Sequence, residues 1–268
     1  MTDVLTSREL REIAMRQSAF DCNCQPEDFL REENVVCPEG IGPNAKKYYQ
    51  EPLACTMVSY GNNIVAAVKE EYKALIREYI DGFEWYRCFE TPAVHWLEER
   101  LAPLGQKICF MAEYFLPDSD RLRRLSCGYE LKVLSQAELA SLYLPEWSNA
   151  LCEKRKELDV LGVGAYDDGV LIGLAGCSAD AEDMLQIGID VLPAYRRRGI
   201  AEALTSNLAV EILERNKAPF YCCAWSNIRS ARNAIRCGFS PAWVEMSVKP
   251  AAFVDQMNAE QMGQRCGK

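Results

Sequence analysis

Along this chain the spacing of apolar residues alternates between the helical and the extended period, and the order of those stretches predicts the elements. Leu10, Ile13, Ala14 and Met15 recur at short helical intervals, which predicts a polar-amphipathic helix over about 7–29. Pro38, Gly40, Gly42 and Pro43 then interrupt the pattern with a loop. Between Cys55 and Val68 the runs CTMVSY and IVAAV are strand-like, and Gly61-Asn62-Asn63 supplies a hairpin turn between them. Helical stretches follow over Glu70–Tyr79 and from about Thr91, where Thr91-Pro92 has the form of an N-cap with a first-turn proline. Lys107–Leu116 is a strongly apolar run of strand type.

A polar joint, Pro117–Arg124, predicts a division into an amino-terminal α+β region over 1–124 and a second domain over 125–268. The second part opens with a strand over Tyr129–Val133 and a helix from Ser135. The runs VLGVGAY and VLIGLAG flank Asp167-Asp168-Gly169, a tight-turn sequence, and predict a second hairpin. A strand over Met184–Val191, a glycine-containing turn, a long helix, a strand over Pro219–Trp225, a short helix and a last strand complete the order. SYGNNIV and AYDDGVL both place a hairpin turn after a tyrosine, a faint internal similarity that coincidence explains equally well.

Charge and cysteine content narrow the function classes. Thirty-nine acidic against thirty basic residues give a net charge of −9, which argues against a nucleic-acid or anionic-membrane partner. Acidity is mildly compatible with a cationic substrate such as an amine, but solubility alone accounts for it more readily. The 13 cysteines are odd in number and irregular in spacing, and no CxxC occurs, so they read as thiols of a reducing cytoplasm. Cys22-Asn23-Cys24 is too tight for both thiolates to join a regular zinc site, and with one histidine, His95, no metal is expected. Cys109, Cys222 and Cys223 lie in apolar runs, where a thiol serves as a small hydrophobe. No signal-like core and no apolar run of spanning length occur, so a soluble protein is expected.

The stretch Ile187–Phe239 carries the chemistry. Its strand ends at Val191, Pro193 breaks it, and Arg196-Arg197-Arg198-Gly199-Ile200-Ala201 opens a helix whose buried stripe is Leu204, Leu208 and Ile212. A helix start presents unpaired N–H groups at the positive end of the helix dipole, an arrangement suited to a pyrophosphate. Gly199 would let main chain approach the phosphates, Ala201 would let the helix pack close to the sheet, and the arginines would add charge. An arginine run is also commonly a solvated face. Gly162-Val163-Gly164 starts like a dinucleotide fingerprint but lies in a hairpin strand, and no GxxxxGK[ST] occurs.

The sequence RRRGIA has the RxxGxA form of the loop that defines the GNAT superfamily of acyl-CoA N-acyltransferases. The resemblance runs through VLPAYRRRGIAEAL and continues downstream in WSNIRSARNAIRCGF, and it covers about 129–249. It implies an α/β protein with a mostly antiparallel mixed sheet, acetyl-CoA as acyl donor and a small-molecule amine as acceptor; some members carry a degenerate second copy of the fold. By the same resemblance, main chain at Ile189 and Val191 would pair with the pantetheine arm. Main chain of Arg196, Arg197, Arg198, Gly199, Ile200 and Ala201 would wrap the pyrophosphate. Asn227 and Ser230 would contact the cofactor, a role compatible with simple N-capping.

Direct attack by a neutral amine needs a proton acceptor, since an alkylamine has a reference pKa of about 10.4. Glu182, Asp183 and Asp190 are the candidate bases, and Asp190 is favoured by its place beside the pantetheine strand; a strand-end carboxylate bonded to nearby backbone is its structural alternative. The family's usual proton-donating tyrosine, four residues before the GF glycine, is Ala234 in this chain. Tyr195 and Tyr221 are substitutes by type. An acyl-cysteine route through Cys222 or Cys223 lacks a positioned base. The missing tyrosine leaves a catalytically inactive CoA-binding regulatory or interaction domain as the alternative, and a protein lysine as an alternative acceptor.

Overall fold

The computed structural model describes residues 5–48 and 53–266; the first residues of the stretch read above for a signal core lie outside them. The helices are α1 Ser7–Cys22, α2 Lys73–Gly82, α3 Thr91–Leu101, α4 Gln136–Leu139, α5 Ile200–Leu213, α6 Ile228–Arg236 and α7 Ala251–Cys266. The strands are β1 Val35–Pro38, β2 Cys55–Ser59, β3 Val65–Val68, β4 Gln106–Pro117 and β5 Glu130–Ser135. They continue with β6 Asp159–Asp167, β7 Val170–Ser178, β8 Met184–Val191, β9 Ala218–Cys223 and β10 Phe239–Pro250.

The structure forms two compact units, but a single cut near residue 124 does not separate them. The larger comprises residues up to Gln17, Lys46–Tyr48 and Glu113–Ala242; the smaller comprises Ser18–Ala45, Tyr49–Ala112 and Trp243–Lys268. The chain first enters the smaller unit within α1, returns briefly to the larger at Lys46–Tyr48, leaves the smaller unit within β4 and re-enters it within β10; three of these crossings fall inside regular elements and leave no linker composition to read.

In the smaller unit the strand order is β1-β3-β2-β10. The expected hairpin forms as the antiparallel pair β2–β3, with Gly61 at φ 98 in its turn. Its two strands are buried at every position. Ile76, Tyr79 and Ile80 of α2 and Ala93, Leu97 and Leu101 of α3 pack with Met57, Ala66 and Met246 into one core. The N-cap of α3 is Glu90 rather than Thr91, and Pro92 occupies its first turn as expected. The first helix stops at Cys22 instead of reaching Phe29. Asn23 takes a left-handed φ of 52, Cys24 N–H returns to Ala19 O, and Pro26 opens a separate 3-10 turn over Pro26–Leu30. The last helix, α7, has no counterpart among the expected elements.

In the larger unit the order is β4-β9-β8-β7-β6-β5, antiparallel throughout except for the parallel pair β8–β9. The hairpin β6–β7 turns at Asp168 (φ 46) and Gly169 (φ 81), the two left-handed positions that Asp-Gly favours. The buried stripe of α5 holds the expected Leu204, Leu208 and Ile212, with Ile200 added at the helix start, and meets Ile172, Ala175, Leu185 and Ile187 of the sheet. What admits the helix is Gly173 on β7, where a Cβ would stand 3.0 Å from Ile200 Cγ2 and from Leu204 Cδ1. Ala201, expected to serve this purpose, is half-buried at the helix start instead. The helix foreseen from Ser135 is a single turn, α4, capped by Ser135 and Glu138 and followed by a 3-10 turn over Pro145–Trp147.

Candidate functional site

The site begins where two strands part. Pairing of β8 with β9 runs from Met184–Ala218 to Gln186–Phe220 and stops there. Beyond that point β8 stays paired with β7 as far as Val191, and β9 pairs with β4 from Tyr221 to Cys223. Main-chain groups in a strand alternate sides. Leu192 N–H reaches Ile172 O on the β7 side, and Asp183 O accepts from Ala218 N on the β9 side. Alternation from these two points turns the main-chain groups of Ile187, Ile189 and Val191 into the gap. Ile189 and Val191 are the two residues that the resemblance named for pairing with the pantetheine arm.

At the end of β8 the chain passes through a 3-10 turn, Pro193–Tyr195, into the arginine loop. Arg197 stands at φ 65 and Gly199 at φ 76, with residues of negative φ on either side of each. Such alternation curls main-chain N–H groups toward one side and builds an anion-binding nest. Gly199 is the N-cap of α5, and the first helical bond runs from Ala203 N to Gly199 O. The N–H groups of Ile200, Ala201 and Glu202 therefore precede the first intrahelical donor, Ala203 N–H. A Cβ at Gly199 would meet no atom within 4 Å, so glycine here serves the left-handed backbone and the open ground in front of it.

The arginines hold the loop. Arg196 Nε donates to Val191 O at 3.1 Å. Arg198 donates to Tyr129 Oη at 2.6 Å and to Ala194 O at 3.3 Å, and its guanidinium lies 5.2 Å from the centre of the Tyr195 ring. Tyr195 in turn packs edge-on against Tyr129, so it belongs to the loop's support.

On the far side of the gap, Asn227 caps α6, and its Oδ1 accepts from Ser230 N at 3.3 Å. Ser230 Oγ lies 2.7 Å from Tyr221 Oη, which rises from β9. Burial raises the Tyr221 pKa, so the phenol keeps its proton. Ala234, one turn beyond Ser230, is fully buried in the core, leaving no place there for the usual tyrosine. Gly238 has φ 94, and its space is closed by Arg121 and Leu122 main chain, a structural reason for the GF glycine.

Asp190 is engaged in holding the structure together. Its Oδ2 accepts from Asn149 N at 2.8 Å and Ala150 N at 3.0 Å, and its Oδ1 from Asn149 Nδ2 at 2.7 Å. This pins the 149–150 segment over β8, where a Cβ on Gly188 would collide with Asn149 O. Asp183 pairs with Arg16 at 3.0 Å and Lys217 at 3.2 Å, and Glu182 is exposed. His95 is exposed on α3, and Cys223 is buried with its thiol pKa raised by that burial, which disfavours a nucleophilic thiolate.

Sequence reading passed over Glu113. It sits on β4 directly opposite Cys223, at the open end of β9. Its carboxylate has no hydrogen-bonding or ionic partner among the described residues, and burial pushes its pKa up. The signal was present as the single charge inside the apolar run ICFMAEYFL, but only the pairing of β4 with β9 shows where it leads.

No curated protein sequence matches the chain. Among solved structures, it resembles a putative GNAT-family acetyltransferase from Novosphingobium aromaticivorans at 18% identity and a TM-score of 0.41, over 54% of this chain and 66% of that one. A GCN5-related N-acetyltransferase from Kribbella flavida matches at 18% identity and 0.45, over 59% and 63%. A GCN5-related N-acetyltransferase-like protein from Streptococcus suis matches at 17% and 0.46, over 75% and 84%. The chain thus spans just under two thirds of the length of the first two. The family of GNAT acetyltransferases itself is matched over residues 105–242, half of the chain and the whole course from β4 through the parted strands to the start of β10, and the chain belongs to that family.

Proposed function

We propose that this protein transfers an acyl group, acetyl in the first instance, from a coenzyme A thioester to the amine of a small molecule in a ternary complex. The observation that carries the reading is the parted pair β8–β9 with the nest of Arg197–Gly199 at its mouth. The gap offers the main chain of Ile189 and Val191 to an amide-bearing arm, and the nest offers N–H groups to a pyrophosphate at the start of α5. Acetyl-CoA, when bound, supplies an activated thioester carbonyl.

The residues around the gap supply the proton handling. Glu113 is the proposed acceptor for the amine proton: burial brings its carboxyl closer to neutral pH, where a base works best. The Tyr221–Ser230 hydroxyl pair is the proposed donor toward the departing thiolate and takes the place of the tyrosine that Ala234 excludes. A main-chain N–H near Val191 is placed to polarise the carbonyl. Asp190 has no part in the chemistry.

Thermal unfolding with and without acetyl-CoA, compared with ATP and NAD, tests the cofactor; a ligand at a hundred times its Kd adds about 2.7 kcal/mol. Stabilisation by acetyl-CoA alone is expected. Mass detection of acetylated products from an amine panel then tests turnover. Stabilisation without product from any amine would favour the inactive, CoA-binding alternative, and no stabilisation at millimolar acetyl-CoA would overturn the cofactor assignment itself.

A further inference from the structure

The smaller unit contains a cluster that the acyltransferase reading leaves unused. Cys24 Sγ, Cys37 Sγ and a carboxylate oxygen of Asp28 all lie within 4.8 Å of one another. Three separate pieces of structure bring them there. Asn23, left-handed after α1, turns Cys24 back, and its Nδ2 donates to Pro38 O at 3.2 Å, tying that turn to β1 beside Cys37. Asp28 is fixed by the 3-10 turn, where Gln25 N donates to its Oδ2 at 3.0 Å. Asn63 Nδ2 donates to Asp28 O at 2.9 Å, which anchors that turn to the β2–β3 connection. Cys37 and Asp28 are buried, whereas Cys24 is half-exposed, so one side of the cluster faces solvent.

We propose that Cys24, Asp28 and Cys37 form a site for a thiophilic divalent cation of the zinc class. Bonds of about 2.3 Å to sulfur and about 2.0–2.2 Å to oxygen set ligand atoms of a tetrahedral ion roughly 3.5–3.8 Å apart, a short closure from the observed spread. The fourth position, on the side of Cys24, falls to water. Charge supports the assignment. Two thiolates and a carboxylate leave one net negative charge around a divalent ion, and Arg31 stands 2.9 Å from Asp28 Oδ1 to offset it. Both thiols release their protons to solvent on binding. Capping of the turn requires Asp28 alone and gives no reason for two sulfurs to converge on it. Cys22, fully buried, is not part of the cluster.

The test uses the full chain, stripped of metal and kept reduced with a phosphine, titrated with Cd2+ against a weak chelator while thiolate-to-metal absorption in the ultraviolet is followed. Wild type and Cys109→Ser are expected to hold one tight equivalent. In Cys24→Ser and Cys37→Ser that equivalent should weaken by at least about tenfold, the lower end of what loss of even a supporting partner costs a metal site. Asp28→Asn should weaken it as well, and circular dichroism checks that each variant is folded. Equal binding by wild type and the serine variants would overturn the proposal. So would absence of any tight equivalent, including the case in which Cys24 and Cys37 are found joined as a disulfide before reduction and the reduced chain takes up no metal.

Discussion

Replacing Gly199 with alanine separates the backbone's demands from the ligand's. At φ 76 an L-residue costs about 1–2 kcal/mol relative to glycine. The gain from a stiffer unfolded chain returns about 0.4–1 kcal/mol of this. No atom lies within 4 Å of the added Cβ, so no collision contributes. The net loss is therefore about 1 kcal/mol, or roughly 2–4 °C in Tm for a unit of this size. On the proposed reading, however, the open ground that the methyl group enters is where the pyrophosphate would lie. Losing even one charge-assisted hydrogen bond there costs about 1.5–3 kcal/mol, tenfold or more in affinity. At an acetyl-CoA concentration that stabilises wild type by about 2.7 kcal/mol, a tenfold weaker variant gains only about 1.4 kcal/mol. Thermal unfolding of both proteins with and without acetyl-CoA reads the two effects separately. A folded variant with the full ligand shift would refute the pyrophosphate cradle, and a collapse of stability without ligand would refute the open surroundings. Gly188→Ala is the contrast: its Cβ strikes Asn149 O, so it should lose stability first.

Glu113→Gln should lower kcat with little change in KM and flatten the acidic limb of the kcat–pH profile. On the proposed role, wild-type activity should rise with pH through a pKa lifted by burial, because only the ionised carboxylate accepts a proton; a retained acidic limb would remove Glu113 from the mechanism. Asp190→Ala should cost roughly 1–3 kcal/mol in chemical denaturation, because it strips acceptors from Asn149 and Ala150. The shape of its pH–rate profile should not change, and a lost limb there would restore Asp190 as the base.

Local signals carried most of the larger unit. The Asp-Gly turn, the stripe of every fourth residue on α5 and the glycine at its cap each depend on neighbours in sequence, and each is found where the pattern put it. What depends on distant pairing was not readable. The partner of β9 is β4, separated from it by about a hundred residues, and without that register Glu113 is one charge in an apolar run. Cys24 and Cys37 show irregular spacing because a turn and a strand, not a helix face, bring them together. Asp190 shows the reverse limit. Its position suggested chemistry, but a segment forty residues earlier takes up its oxygens.

The parting of β8 from β9 also has a thermodynamic side. A sheet edge normally threatens a protein from outside, where another chain can add to it. Here main chain without a strand partner lies between two strands of one sheet, with Arg196 reaching Val191 O at its end, and pairing continues on both outer sides. Few extended polypeptides could thread such a slot, whereas a slender molecule bearing amides could. A bound arm of that kind would act as a surrogate strand and complete the sheet's hydrogen bonding. Hydrogen exchange at Ile187, Ile189 and Val191 would then report occupancy directly.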